Sequence, residues 1–147
     1  MKNLESNVRN TISAGGIIVR QYKGIKYIVL VDQHRTSYSF PKGHVENGEC
    51  FLETAYREIM EECGLSRENI VLVGEIGSYQ RNAIRPDGLE DICELKNIMM
   101  YHFTTDAINL SPRDMDNPNA FWVPISAARD YLNIRDREFY DRIVSQL

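Results

Sequence analysis

The feature that most constrains this chain is a helical segment carrying more negative charge than an isolated helix should bear. From about Cys50 to Cys63 the apolar residues Leu52, Ala55, Ile59 and Cys63 recur at helical spacing and form a core-facing stripe. Gly64 follows, a favoured residue just past a helix end. On the neighbouring side Glu58, Glu61 and Glu62 stand at i, i+3 and i+4, so three carboxylates share one patch and repel one another. They also lie near the helix C-terminus, where the macrodipole disfavours negative charge. The arrangement costs stability unless a cation sits there; the plainer alternative is a solvated acidic face. Hard divalent ions such as Mg2+ take carboxylate oxygens together with waters and substrate phosphates. A Gly-punctuated loop, Lys42–Gly43–His44–Val45–Glu46–Asn47–Gly48–Glu49, leads straight into this helix, and that pairing suits metal-assisted phosphate chemistry.

The rest of the chain reads as a frame for the helix. Thr11–Arg20 and Tyr27–Asp32 are strand-like and form a hairpin across Gly24, with the Gly15–Gly16 pair marking a bulge or close packing. Tyr38–Phe40 is a short strand ended by Pro41. Asn69–Val73 and Glu75–Tyr79 are strand, interrupted at Gly74; Lys96–Thr104 and Phe121–Val123 are strand as well. Residues 81–94, with a Pro, a Gly and many charges, read as an exposed loop, as does Leu110–Asn119. Helices are expected near Ile125–Leu132 and Asp136–Val144, and residues 1–10 are expected to fray. Strands on both sides of a central helix, with helices at the end, predict a mixed α/β fold in one domain spanning residues 1–147.

Charge and cysteine usage narrow the class. With 21 acidic against 17 basic residues the formal charge is -4, which argues against a general nucleic-acid binder. Such a chain takes an anionic substrate only if its basic residues gather locally or a metal cation bridges the repulsion. Cys50, Cys63 and Cys93 are widely spaced and form no C-x-x-C pair, so reduced thiols in the cytoplasm are the expectation. No run of about 18 apolar residues occurs, so no membrane span is expected. Oligomeric state is left open.

The wider spacing decides between the two readings of the acidic helix. Gly43, five residues, Glu49, seven residues, then Arg57–Glu58–Ile59–Met60–Glu61–Glu62–Cys63–Gly64–Leu65 matches the Nudix box at every specified position. At ordinary residue usage a full chance match in a chain this size is rarer than about one in a million. The chain therefore resembles the Nudix hydrolase family over residues 43–65. The lead-in Phe40–Pro41–Lys42–Gly43–His44–Val45–Glu46 is similar to that of members acting on dinucleoside polyphosphates and diphosphoinositol polyphosphates. The resemblance implies an α/β/α sandwich with a mixed β-sheet and a loop–helix–loop catalytic motif. It also implies Mg2+ as cofactor, with Mn2+ as a substitute.

Roles follow position by position from that resemblance. Glu61 and Glu62 match the main metal ligands, Glu58 a further ligand or the base, and the Gly43 carbonyl a backbone ligand. Arg57 matches the arginine that orients a box carboxylate, with Glu49 its natural partner. Ile59, Gly64 and Leu65 are structural box positions. Second choices for the base are Glu90 and Glu94. Lys42, Arg81, Arg85 and Lys96 are the candidate substrate-binding cations, and for each the competing reading is a solvated surface residue. His34, His44 and His102 form no ligand pair by spacing. Tyr79, Tyr101 and Phe103 could stack a base but alternate as core residues do. Trp122 is expected to pack under the last helices, and Cys50 and Cys63 to be buried.

The reaction implied is attack of water on a diphosphate phosphorus in a nucleoside-diphosphate-linked substrate. A (di)nucleoside polyphosphate such as diadenosine tetraphosphate comes first. ADP-ribose or another sugar-nucleotide, an oxidised nucleoside triphosphate, a diphosphoinositol polyphosphate and an RNA 5′ end are the enzyme alternatives. A non-catalytic nucleotide-sensing domain is the alternative of another class, and the presence of all four box glutamates speaks against it.

Overall fold

The computed structural model describes residues 7–33, 37–113 and 119–147. In chain order its elements are β1 (Arg9–Tyr22), β2 (Ile25–Gln33), β3 (Ser37–Ser39), β4 (Lys42–His44), α1 (Phe51–Cys63), β5 (Ile70–Ile84), β6 (Glu90–Thr105), β7 (Ala120–Pro124), α2 (Ile125–Ala128) and α3 (Ile134–Ile143). The strands form one sheet in the order β3-β2-β1-β6-β5, with β4 added to β1 and β7 to β2. Among the described strand pairs only β1 and β6 run parallel; the others are antiparallel, so the sheet is mixed.

The central strand shows why two helical layers form. Seven consecutive residues of β1, from Ser13 to Val19, are buried, as expected of a strand covered on both faces. Alternate side chains enter two cores. Ile17 and Val19 join Ile98, Met100, Tyr79, Phe139, Tyr140 and Ile143 on the side of α3. Ile18 joins Ala55, Ile59, Cys63, Leu65, Tyr101 and Phe103 on the side of α1. The result is the expected α/β/α sandwich.

Several elements differ from the sequence reading. Residues 81–94 are strand at both ends, because β5 and β6 form one long hairpin across a turn at Arg85–Leu89. Pro86, Asp87 and Gly88 (φ 85°) are its turn residues, the buried position 81 holds an arginine, and Glu90–Cys93 are largely exposed, so the tip lacks the apolar alternation that marks a strand. Gly74 does not interrupt β5 but sits at a register shift, as does Gly77. Lys42–His44, read as loop, pairs with β1 at Ser13–Gly15. Arg9 and Asn10, expected to fray, pair with Glu94 and Leu95. Trp122 lies against the α1-side core and donates to the Ile108 carbonyl at 2.9 Å, not under the last helices. Cys63 is buried but Cys50, at the helix start, is exposed. Tyr79, Tyr101 and Phe103 are core residues, Tyr79 stacked on Phe139 at 4.3 Å between centroids. His34 and the segment 114–118 lie outside the described residues.

The glycine pair in β1 is close packing rather than a bulge. A Cβ on Gly15 would enter the Pro41 carbonyl and the Lys42 side chain, which cross the strand there. One on Gly16 would lie 2.8 Å from Ile59 and Phe103, on the α1 face. Gly16→Ala should therefore lift α1 from the sheet and cost about 1–3 kcal/mol. Denaturant unfolding would show it as a lower midpoint at unchanged slope.

Candidate active site

Arg57 organises the box. Its guanidinium forks onto Glu49, with Nε at 2.8 Å and Nη2 at 2.9 Å, while Nη1 donates to Glu58 at 2.7 Å and Nη2 to the His44 carbonyl at 2.8 Å. Glu49 also accepts from the Glu46 backbone at 2.9 Å and from Thr54 at 3.0 Å. These bonds hold its carboxyl at about 2, the Arg57 fork contributing most and the Glu46 amide next. The helix carbonyls at the other end are capped from outside. Gly64 (φ 72°) donates to Met60, Ser111 to Cys63 at 2.8 Å and Arg113 to Glu61 at 2.7 Å. Ile59 and Leu65 are buried beneath, as expected of structural positions.

The three helix carboxylates are not equivalent. Glu62 is only 6% exposed, and Glu58 is its hydrogen-bonded neighbour. Glu61 is half-exposed and turned towards Arg57 at 3.5 Å. Burial pushes Glu58 up, and burial together with the Glu58 charge pushes Glu62 well up. The Glu58 carboxyl occupies the space a Cβ on Gly43 would need, so glycine at 43 is what lets the loop meet the helix. Among the described residues no three acidic, His or Cys side chains converge as a metal cage.

Next to this pair lies a cavity of about 140 Å³, lined by Ser13, Lys42, Gly43, Glu62 and Lys96, with Asp32, Gln33 and Ser39 opposite. A larger one, about 760 Å³, lies around Lys26, His102 and Leu147 at the far end of β1 and β6 and includes no box residue. Size is outweighed here by chemistry, because the smaller cavity is the one that Gly43 and Glu62 of the box line together with Lys42 and Lys96.

The candidate cations separate clearly. Lys42 and Lys96 line the cavity. Burial, then the charge of Arg81, lowers Lys42 to about 7 and lowers Lys96 as well. Arg81 departs from its expected substrate role. Its side chain is 1% exposed and bound to Asp136 at 3.0 Å, behind the cavity wall. Arg85 departs too, being exposed on the hairpin turn and paired with Asp87 at 2.7 Å. Of the alternative bases, Glu90 is exposed and bound to Asn82. Glu94 is held by Arg9 at 3.0 Å and Thr11 at 2.8 Å, with His44 at 3.3 Å.

Sequence reasoning missed Asp136. Fully buried on α3, it accepts from Tyr79 at 2.6 Å, Arg81 at 3.0 Å, Ser39 at 3.0 Å and Asn133 at 2.7 Å. Ser39 in turn accepts from Lys42. The one local signal was the Asn133-x-x-Asp136 spacing of a helix start, which gives a cap but not the partners from β3 and β5.

The NUDIX domain family model matches residues 9–143. This chain belongs to the Nudix family. Among its relatives, an RNA pyrophosphohydrolase of Francisella philomiragia is 29% identical over 105 residues, covering 63% of this chain and 67% of that one. Across the curated relatives the match spans 38% to 67% of their length. In structure, a C. elegans Ap4A hydrolase binary complex superposes with a TM-score of 0.74 at 17% identity, over 92% of this chain and 96% of that one. The NUDIX domain of Shewanella oneidensis NrtR, complexed with ADP ribose, gives 0.72 at 10% identity, over 98% and 92%. Those two likenesses concern the fold.

The Nudix donor set suits a hard divalent cation. Mg2+ uses one or two carboxylates and fills its shell with water and phosphate oxygens, and Glu58 and Glu62 supply such a pair with Glu61 beside them. Two predictions follow from this geometry. Because Glu58 and Glu62 are raised in the fold, the folded state binds more protons than the unfolded one above the ordinary value of 4.5, and they favour folding less as pH rises towards neutrality. Glu62→Gln should thus raise the metal-free melting midpoint at pH 7 relative to pH 5 and abolish stabilisation by Mg2+; a midpoint equally responsive to Mg2+ would refute the pairing. Asp136→Ala should cost about 3–5 kcal/mol by stranding the buried Arg81 guanidinium, read by denaturant unfolding.

Proposed function

We propose that this chain is a divalent-metal-dependent Nudix pyrophosphohydrolase that cleaves a phosphoanhydride bond in a nucleoside-diphosphate-linked substrate. The preferred class is a (di)nucleoside polyphosphate such as diadenosine tetraphosphate. One observation carries the reading: the Glu58–Glu62 pair lies against Gly43 beside a cavity that Lys42 and Lys96 also line. Groups for a cation and groups for phosphate oxygens thus meet in one place.

Glu58, Glu61 and Glu62, with the Gly43 carbonyl, would hold Mg2+ or Mn2+. When bound, the ion supplies charge neutralisation of phosphate oxygens and acidifies a coordinated water. Arg57 fixes Glu49 and Glu58 so that the loop and helix keep their spacing. Lys42 and Lys96 take the phosphate charge. Glu58, held by Arg57 beside the cavity, is the preferred acceptor for the proton of the attacking water. Glu94 is committed to Arg9 and Thr11, which argues against it in that role. No described helix is long and apolar enough to cross a membrane, and the free thiols of exposed Cys50 and Cys93 support the cytoplasm as compartment.

A second reading, hydrolysis at an RNA 5′ end, is favoured by the RNA pyrophosphohydrolase relatives. The same phosphate chemistry serves both. The test is a panel of diadenosine tetraphosphate, 5′-triphosphorylated RNA, ADP-ribose, an oxidised nucleoside triphosphate and a diphosphoinositol polyphosphate, each with and without Mg2+. Metal omission should abolish turnover. Glu62→Gln and Glu61→Gln should each lower kcat by at least about 100-fold, the scale of a lost electrostatic group at a reacting centre. Full activity in Glu62→Gln would remove the metal assignment, and tight nucleotide binding with no product would revive the sensor reading.

A further inference from the structure

Ser13 has no place in the box, yet the cavity beside the box is built around it. It lies on β1, 1% exposed, opposite His44 of β4 and Ile98 of β6. Its Oγ is buried and makes no hydrogen bond among the described residues. Buried hydroxyls are satisfied in most folds, because leaving one unpaired forfeits its bonds to water without return. An orphan of this kind needs a reason.

The reason is in the lining. Ser13 shares the cavity with Lys42, Lys96 and Glu62. Lys42 already donates to Ser39. Lys96 is largely buried and, among the described residues, makes no hydrogen bond or ion pair. A buried unpaired hydroxyl and an ammonium group with no direct partner among the described residues therefore face the same small space. A single water could satisfy the hydroxyl but brings no negative charge to the two ammonium groups. A phosphate group satisfies both, offering several acceptor oxygens and the opposite charge.

Strand geometry explains why Ser13 can reach it. Side chains alternate along β1, so Ser13, Gly15 and Ile17 face the α3 side while Ala14, Gly16 and Ile18 face α1. Gly15 carries no side chain and lets Lys42 cross directly over the strand. The hydroxyl two residues earlier is left pointing into the space beside the lysine.

We propose that Ser13 is a substrate-binding residue whose hydroxyl donates to a phosphate oxygen of the nucleoside polyphosphate, between Lys42 and Lys96. This rests on the pyrophosphohydrolase reading and adds a neutral donor to its phosphate seat. A residue that waits unpaired for substrate has an unusual signature: removing it relieves the free protein and harms the complex.

The experiment compares the full chain with its Ser13→Ala variant. The melting midpoint without ligand should stay level or rise in the variant. The midpoint shift given by inorganic pyrophosphate with Mg2+ should shrink, and KM for the best panel substrate should rise on the order of tenfold with kcat within about twofold, the scale of one hydrogen bond to a charged group. Ser13→Thr, which restores a hydroxyl, should recover part of the lost affinity. An unchanged pyrophosphate shift overturns the proposal, and so does a lowered midpoint in Ser13→Ala, the mark of a hydroxyl the fold itself uses. The pyrophosphate arm needs no turnover, so it judges Ser13 even if the wild type proves inert on every panel compound, a result that would fell the functional reading instead.

Discussion

The site depends first on one guanidinium. The loop from Val45 to Glu49 is largely exposed, and it leads to a helix whose carboxylates repel. Arg57 answers both problems, gripping Glu49 with two nitrogens, reaching the His44 carbonyl and touching Glu58. A lysine at 57 could offset the charge but could not fork onto both oxygens of Glu49 while holding a third and fourth acceptor. Because the Arg57 side chain is 23% exposed, its pairs are less screened than those of a surface arginine. The backbone of the loop beyond β4 is thus held by an ion pair, while Gly43 itself is brought to Glu58 by its strand pairing with Ala14.

On the opposite side of β1 the charge balance reverses. Lys42, Lys96 and Arg81 interact within one small region, with Glu94, Asp136 and Glu62 as the negative charges among them. Asp136 is spent on Arg81, Tyr79, Ser39 and Asn133, which leaves Lys42 and Lys96 as the ammonium groups lining the cavity in a protein whose net charge is -4. That answers how an acidic chain can accept a polyanion without a basic surface: the cations are few but gathered and partly desolvated, where each acts more strongly than in water.

How much of this could be read from residues alone divides along a physical line. The α1 helix, the core stripe of Ala55, Ile59 and Cys63, and the box itself are local in sequence, and each appears where spacing placed it. The hairpin tip was not legible, because the buried position 81 holds an arginine, Glu90–Cys93 are largely exposed, and Pro86 and Gly88 imitate a loop. Lys42–His44 became strand only through its partner β1. The candidate site divides likewise. Glu58, Glu62, Arg57 and Lys42 belong to one contiguous stretch, whereas Asp136, Arg81 and Ser13 meet it across separations that no single-chain pattern encodes. Arg81 looks the same in sequence whether it faces a ligand or a buried aspartate.

Register is what turns those distant residues into a site. β1 and β6 pair through eleven successive positions, from Arg9–Glu94 to Val19–Thr104. A slip of one residue would send Ser13 to the α1 face and Ala14 to the cavity, since side chains alternate with period two. It would also carry Gly15 away from Lys42 and drive a buried Ile17 towards the wrong core. Such a slip is therefore opposed by both cores at once, and the apolar residues at 17, 18 and 19 act as the ruler by which polar residues at 13 and 96 are set. The lining of a cavity with little apolar surface of its own is in this way positioned by hydrophobic packing one or two turns of the pleat away, and its precision is inherited from the most stable part of the molecule.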